Sequence, residues 1–374
     1  MPAVASPEAH GVRRLGSPRG EEAHPVGKVT LQTIADAVGV SRMTVSNAFS
    51  RPDQLSAELR ERVLATAAEL GYVGPDPRAR ALARGRTGSV GIMITDALEE
   101  SFTDEVAMQV LAGVAAELAP SGRSLTLLPS ISEGDIVPAR DVPMDGALVY
   151  SCDPTNAGVS WLHKRDLPVV YIDQVVDEQV ASVNVDDRGG ARAAAQHLLD
   201  LGHTRFGAIV SVLGHDFGVV DDPAHLPIGH ATHLRILGWD DALRPAGVAD
   251  PVYVQVPRYD YDESRKAAAL LLDRDDPPTA VLCYSDLMAD AVVDEARERG
   301  LRVPQDLSVV GFDDSPRARR MRPALTTVRQ DSSEKGRLAV RTLLRRLEAD
   351  DGPVEHHVLP TELVVRDSTG PVPA

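Results

Sequence analysis

The sequence predicts an α/β protein in two parts. A small all-α helix-turn-helix unit lies near the N-terminus, ahead of a larger unit of mainly parallel sheet covered by helices and divided into two lobes. Three observations predict it. Short capped helical segments follow one another between Thr30 and Gly71. Beyond Gly88, apolar strand-like runs alternate with amphipathic helical stretches, the pattern of repeated strand–helix–strand units. The chain of 374 residues, 43% hydrophobic and 25% charged, has apolar material for more than one core.

Residues 1–27 are rich in Pro, Gly, Glu and Arg, lack apolar periodicity and read as a disordered tail. Residues 28–76 form the all-α unit. Thr30 is a good N-cap, and Leu31, Ile34, Ala35 and Val38 recur behind it at helical spacing. Gly39 breaks that helix and Ser41 caps a second, with Val45, Ala48 and Phe49 facing inward and Arg42, Met43 and Asn47 outward. Arg51-Pro52-Asp53 ends it. Ser56 caps a third helix, which carries Leu59, Val63, Ala67 and Leu70 on one face and stops at Gly71. Residues 77–87 set Arg and Ala between Pro and Gly breakers, a linker with latent helical character. In the larger unit, residues 88–368, strand-like runs are Val90–Thr95, Leu125–Leu128, Ala147–Tyr150, Val169–Ile172, Phe206–Val210, Ala280–Tyr284 and Val309–Phe312. Helical stretches fall at 105–118, 190–201, 262–272, 286–299 and 334–348, and 369–374 reads as a tail.

Composition narrows the function classes. No run approaches the roughly 18–20 apolar residues of a membrane span, and residues 1–27 lack a signal-peptide apolar region. Two cysteines, Cys152 and Cys283, suit a reducing compartment and buried structural thiols rather than a disulfide framework. A cytoplasmic, nucleoid-associated protein without a membrane partner is expected. The net charge is −16, yet residues 28–86 hold nine Lys/Arg against six Asp/Glu, a net +3. A small basic module on an acidic body fits one local DNA contact.

The segment VTLQTIADAVGVSRMTVSNAFS, Val29 to Ser50, has helix-turn-helix spacing, although three helices of any small bundle could share that periodicity. In that geometry the second helix enters the major groove. Arg42 offers two donors to guanine, Asn47 a bidentate pair to adenine, and Met43 apolar contact with a thymine methyl. Ser41, Thr44 and Ser46 are better placed for phosphates, and Thr30 joins the DNA-contacting set.

This segment, continued through LSAELRERVLATAAELGYVGPDPRARALARGRTGSVGIM, resembles the lac repressor (LacI) family. The resemblance runs from Val29 to about Asp367. It implies a dimer on a near-palindromic double-stranded operator and a hinge, Pro77–Gly85, that folds to a helix on DNA. Arg78, Arg80 and Arg84 would hold phosphates while Leu82 wedges into a central minor-groove step. Gly74 resembles a single-residue insertion before Pro75 and shifts the hinge register. The family's effector domain resembles a periplasmic binding protein, with two lobes joined by three crossings. That implies a first lobe of about 88–185 and 329–352 and a second of about 186–328 and 353–368.

In parallel α/β sheets ligands bind beyond the carboxyl ends of the strands. The residues following the apolar runs are Thr95 and Asp96, Ser151 and Asp153, Asp173, Ser285 and Asp286, and Asp313 and Asp314. Such carboxylates accept hydroxyl protons from a ligand, and each could equally cap the next helix. The resemblance assigns effector contacts to Asp173, Arg235, Ser285-Asp286, where Ser285 stands for the family's amide, and Asp313. Phe102 covers the ligand or belongs to the core. The stretch between Phe206 and Arg235 is longer than the family's usual one and holds His215, His225, His230 and His233. The His230/His233 spacing suits one helix face, but no pattern completes a metal site, and neither metal nor cofactor is expected.

An extracytoplasmic sugar-binding protein and an enzyme are the competing readings. The headpiece argues against the first. The absence of G-x-G-x-x-G after the first strand, and of G-x-x-x-x-G-K-[ST], G-x-S-x-G and H-E-x-x-H, argues against the second. A repressor released by a sugar or related metabolite is the expected function, with corepression as the alternative sign. The closing residues carry no leucine heptad, so a dimer rather than a tetramer is expected.

Overall fold

The computed structural model of the chain describes residues 29–74, 76, 80–82, 85–94, 101–130, 136–152, 156–212, 216–221, 223, 229–248, 250–348 and 352–373. The N-terminal tail, and with it Arg78, Arg84, Thr95, Asp96, Asp153, His215 and His225, lies outside the described residues. The chain forms two compact units that part between Arg84 and Gly85.

The first unit is built from α1 (Leu31–Val38), α2 (Arg42–Ser50) and α3 (Ala57–Glu69). Thr30 closes a capping box with Thr33, and Ser41 and Ser56 accept the backbone N–H of Thr44 and Leu59. Gly39 takes the left-handed φ of 77° that turns the chain from α1 into α2, a conformation open to glycine without a Cβ clash. Ile34, Ala35, Val45, Ala48, Val63 and Ala67 form the core. Phe49 packs edge-on against Tyr72 at 5.6 Å. Leu70, expected on the buried face, is 38% exposed because α3 ends at Glu69 and Leu70 is already its C-cap.

The second unit holds two sheets. Its strands are β1 (Ser89–Ile94), β2 (Ser124–Pro129), β3 (Gly146–Tyr150), β4 (Val169–Ile172), β5 (Ala181–Val185), β6 (Phe206–Ser211) and β7 (Gly218–Val220). They continue as β8 (Val252–Val256), β9 (Ala280–Cys283), β10 (Ser308–Asp313), β11 (Thr326–Arg329), β12 (His356–Leu359) and β13 (Glu362–Val364). The helices are α4 (Glu105–Leu118), α5 (Pro138–Asp141), α6 (Ala157–Lys164), α7 (Asp187–Asp200), α8 (His230–Leu243), α9 (Tyr261–Leu272), α10 (Asp286–Glu298), α11 (Pro316–Arg320) and α12 (Ser332–Glu348). Among the described residues the first sheet runs β12-β5-β4-β3-β1-β2, all parallel. The second runs β13-β11-β10-β9-β6-β8-β7, with antiparallel edges at β13 and β7.

Each lobe buries its sheet between helices. In the first, α4 and α12 lay Val110, Val114, Ala339, Val340 and Leu343 against β1, β3 and β4. These two helices approach so closely that a Cβ on Gly113 would overlap the Ser333 carbonyl, and one on Gly336 the Val110 carbonyl. In the second lobe, α7 and α8 cover one face through Ala191, Leu198, Ile236 and Trp239. Helices α9 and α10 cover the other through Ala268, Leu271, Val292 and Ala296.

The chain passes between the sheets after β5, after β11 and after β12. The third passage differs from the expected boundary at 353. Residues 356–359 still belong to the first lobe, because β12 pairs along β5 from His356–Ser182 to Leu359–Val185. Of the expected tail at 369–374, the residues up to Val372 are likewise built into the second lobe. Ser368 is buried, Gly370 O lies 3.0 Å from His203 Nε2, and Val372 N–H donates to Leu201 O at 3.0 Å. Among the described residues no helix is long and apolar enough to cross a membrane.

Candidate functional site

In the first unit α2 presents Arg42 and Met43 outward, Met43 at 69% exposure. Both side chains are free of packing partners in the headpiece core and so are available for contact. Ser41 Oγ and Thr44 Oγ1 lie 2.9 Å apart, so both hydroxyls already serve the helix cap. Asn47 is half-buried, and its amide donates to Gln54 Oε1 at 3.2 Å, which fixes the side chain's direction. Ser46 is also half-buried and Thr30 exposed. Of the linker, residues 80–82 are helical, Arg80 N–H donates to Asp76 O at 3.0 Å, and Leu82 is 87% exposed.

In the second unit the strand ends converge. Ser151, Asp173, Asp313 and Asp314 all take positive φ, 50°, 52°, 114° and 51°, at or just past the carboxyl ends of β3, β4 and β10. Non-glycine residues held in this region store strain and gather at sites that use their geometry. Asp173, Arg235 and Asp313 enter one buried polar chain. Lys335 donates to Asp173 Oδ2 and, at 2.9 Å, to Gln330 Oε1. The Gln330 amide donates to Asp313 Oδ1 at 2.7 Å, and Asp313 Oδ1 lies 3.8 Å from Arg235 Nη1. Arg235 Nε donates to Asp187 Oδ1 at 2.8 Å and Nη1 to the Tyr284 carbonyl. The chain thus runs from the end of β4 in one lobe to the start of α7 in the other.

Aromatic faces insulate it. The Arg235 guanidinium sits 3.6 Å from the centroid of Phe312 and 4.4 Å from that of Tyr284, a desolvated cation–π stack. Burial opposes the charge on Arg235, but Asp187, Tyr284 and Asp313 outweigh it and hold the group more basic than usual. Burial pushes the carboxyls of Asp187 and Asp313 up against the pull of Arg235, and that of Asp104, the N-cap of α4, up as well. Tyr150, buried, and Tyr259, half-buried, are raised for the same reason. Two carboxylate oxygens in this chain, Asp173 Oδ1 and Asp187 Oδ2, are buried without a hydrogen-bond partner among the described residues.

Ser285 and Asp286 both make contacts that hold the fold. Ser285 caps α10 through Met288 N–H at 3.3 Å. Asp286 is 1% exposed and both its oxygens are occupied, one by the Thr327 hydroxyl and one by Ser315 N–H at 2.7 Å. The pair ties the start of α10 to β11 and α11. Phe102 is 52% exposed, at the turn before α4, and is not a core aromatic. His230 and His233 are half-buried on α8, and no three His, Cys, Asp or Glu side chains are grouped so as to hold a metal ion among the described residues.

Asp187, Gln330 and Lys335 escaped the sequence reading. Gln330 and Asp187 follow β11 and β5, which were not seen as strands, so the same strand-end rule would have found them. Lys335 stands at helical spacing with Ala339 and Leu343 on the buried face of α12, where a lysine needs a partner.

The arrangement, an exposed reading helix on one unit and a strand-end polar cluster on the other, fits what comparison with known proteins finds. Residues 30–74 match the model of bacterial regulatory proteins of the lacI family, and residues 195–369 that of the periplasmic binding protein-like domain. An HTH-type transcriptional regulator of Mycolicibacterium smegmatis is 38% identical over 365 residues, 93% of this chain and 98% of the relative. The structure of a transcriptional regulator CelR–cellobiose complex is 30% identical, with a TM-score of 0.66 over 91% of this chain and 100% of that one. A lac repressor dimer bound to operator and the anti-inducer ONPF superposes with a TM-score of 0.74 at 26% identity, over 91% and 99% of the two chains. With its helix-turn-helix headpiece and two-sheet effector unit matched across nearly the whole length of such relatives, this chain belongs to the lacI family of DNA-binding transcriptional regulators.

Proposed function

We propose that the protein is a sequence-specific repressor, acting in the cytoplasm at the nucleoid as a homodimer on a near-palindromic operator. A sugar or related metabolite held between the two lobes releases it. The observation that carries this reading is the polar chain from Asp173 to Asp187, which links the lobes through strand-end side chains. A ligand lodged in it would bind different lobe arrangements unequally, and only such a difference shifts the balance between DNA-competent and incompetent forms. Solved relatives that hold cellobiose, or operator with an anti-inducer, support the ligand and target classes. Arg42, Met43 and Asn47 read bases in this scheme, Ser41, Thr44, Ser46 and Thr30 with Arg78, Arg80 and Arg84 hold phosphates, and Leu82 is the wedge. No turnover of the ligand is part of it.

The test uses the full-length protein to select fragments from genomic DNA, footprints the selected site, and titrates the complex with uncharged sugars. A two-fold symmetric footprint that an added sugar weakens is the expected result. Recovery of no symmetric site, or chemical conversion of the added compound, would sink the reading.

A further inference from the structure

The amide of Asn47 is not free to turn. Its Nδ2 donates to Gln54 Oε1 at 3.2 Å, across seven positions of sequence. The local backbone brings the two together. Arg51 N–H donates to Asn47 O at 2.8 Å and closes α2. The short 3-10 turn Pro52–Gln54 then folds back, with Gln54 N–H on Arg51 O at 3.1 Å. Leu55 packs against the headpiece core and Ser56 caps α3, so the turn is held on both sides. The amide contact caps neither helix, because other groups already do. Asn47 stands one helical turn beyond the exposed Met43, and Gln54 is exposed beside it.

An asparagine amide accepts at one end and donates at the other, and a half-turn exchanges the two. Bases differ in the same sense. In the major groove adenine shows an amino group beside the acceptor N7, whereas guanine shows two acceptors, O6 and N7. An amide free to turn can accept from adenine or donate to guanine. Held with its Nδ2 on Gln54, it keeps Oδ1 as a fixed acceptor, which pairs with the adenine amino group and meets guanine O6 as a second acceptor. Gln54 favours this sense on DNA, because its own Nε2 is then the outward group. With both amides turned together, Gln54 would present a carbonyl oxygen to phosphates, which take donors.

On the reading of α2 as the base-reading helix, we propose that Gln54, which lies outside that helix, is a positioning residue for Asn47. It sets a preference for adenine over guanine at the base pair that Asn47 contacts in each half-site. Gln54 acts through Asn47 and reads no base itself.

The experiment takes the site that the full-length protein selects from random duplex DNA and titrates every single-base variant of it. Random duplex is the reference for each protein variant, so a general change in affinity cancels. Asn47→Ala identifies the position that Asn47 reads. There the parent should prefer adenine to guanine on the order of tenfold. Gln54→Ala should lower that ratio several-fold, at this position alone. Gln54→Glu keeps an acceptor for Nδ2 and should preserve the ratio, whatever its charge does to overall affinity. Gln54→Lys offers only donors, draws Oδ1 toward itself and should move the ratio toward guanine. The double variant N47A/Q54A should match Asn47→Ala, since Gln54 works through Asn47. A ratio in Gln54→Ala equal to the parent's, a ratio lost in Gln54→Glu, or a parent that prefers guanine overturns the proposal. A further loss in the double variant does so too, by making Gln54 a base contact in its own right. An adenine preference that survives Gln54→Ala leaves α2 as the reading helix without this lock, whereas selection of no common site removes the reading and the proposal together.

Discussion

Arg42 occupies the first turn of α2 with its side chain exposed, while its neighbours Ser41 and Thr44 are tied to each other and to the helix cap. That leaves Arg42 as the free bidentate donor on this turn. Arg42→Ala should cost about 1–3 kcal/mol of operator affinity, concentrated at one base pair of each half-site. Titration against single-base operator variants checks it, and equal weakening on every sequence would make Arg42 a phosphate contact instead. A second residue-scale prediction concerns Asp286, whose carboxyl burial pushes from an ordinary 3.8 up to about 7. Between those values the folded chain keeps a proton that the unfolded chain has released, so this group makes stability fall as pH rises through that window. Asp286→Asn should flatten this part of the curve in urea unfolding measured between about pH 4 and pH 7, and a slope equal to the parent's would contradict it. Both residues were legible as strand-end or helix-start positions. What the sequence could not say was that Asp286 turns inward to Thr327 and Ser315 while Asp173 keeps an oxygen unmet, because hydrogen-bond partners from distant segments decide that.

At the scale of elements, strands with continuous apolar runs, β1, β3, β4, β6, β9 and β10, were readable because both their faces are covered by helices. Strands β5 and β11 were not, since ASVNV and TTVR carry buried polar residues, Ser182, Asn184, Thr326 and Thr327, whose side chains find partners only in the folded sheet. Helix α8 hid for a similar reason, its buried side including Thr232 and Arg235 beside Ile236 and Trp239. In the proposed scheme the linker is the element on which coupling turns. Residues 80–82 are helical with Leu82 exposed. On the proposed reading, a helix this short is marginal by itself in water and takes its stability from DNA and a second copy. Ala81→Gly should add about 1 kcal/mol per subunit to the cost of that helix, weakening operator binding while sparing binding to random DNA and ligand affinity without DNA. Leu82→Ala should do so more strongly and reduce DNA bending. Equal operator affinity and equal bending in Leu82→Ala would reduce the linker to a tether.

For the whole molecule the question is how many chains act together. A headpiece that reads one half-site needs a two-fold partner to read the other, which makes a closed dimer the smallest working unit. Going beyond it would take an additional association element. The described segment after β13 is committed elsewhere, because Ser368–Val372 closes the second lobe. Ser368 Oγ donates to Val309 O at 2.7 Å, Gly370 N–H donates to Ser308 Oγ at 3.0 Å, and His203 Nδ1 meets Thr279 Oγ1 at 2.9 Å behind them. Residues engaged in this way cannot also project as a leucine heptad. Multi-angle light scattering at micromolar concentration should therefore give twice the chain mass, unchanged when a ligand of the cleft is added, since the ligand alters DNA affinity rather than assembly. A stable species of four chains under those conditions would mean that another surface carries association, and that operator spacing must be sought in pairs of sites rather than in one palindrome.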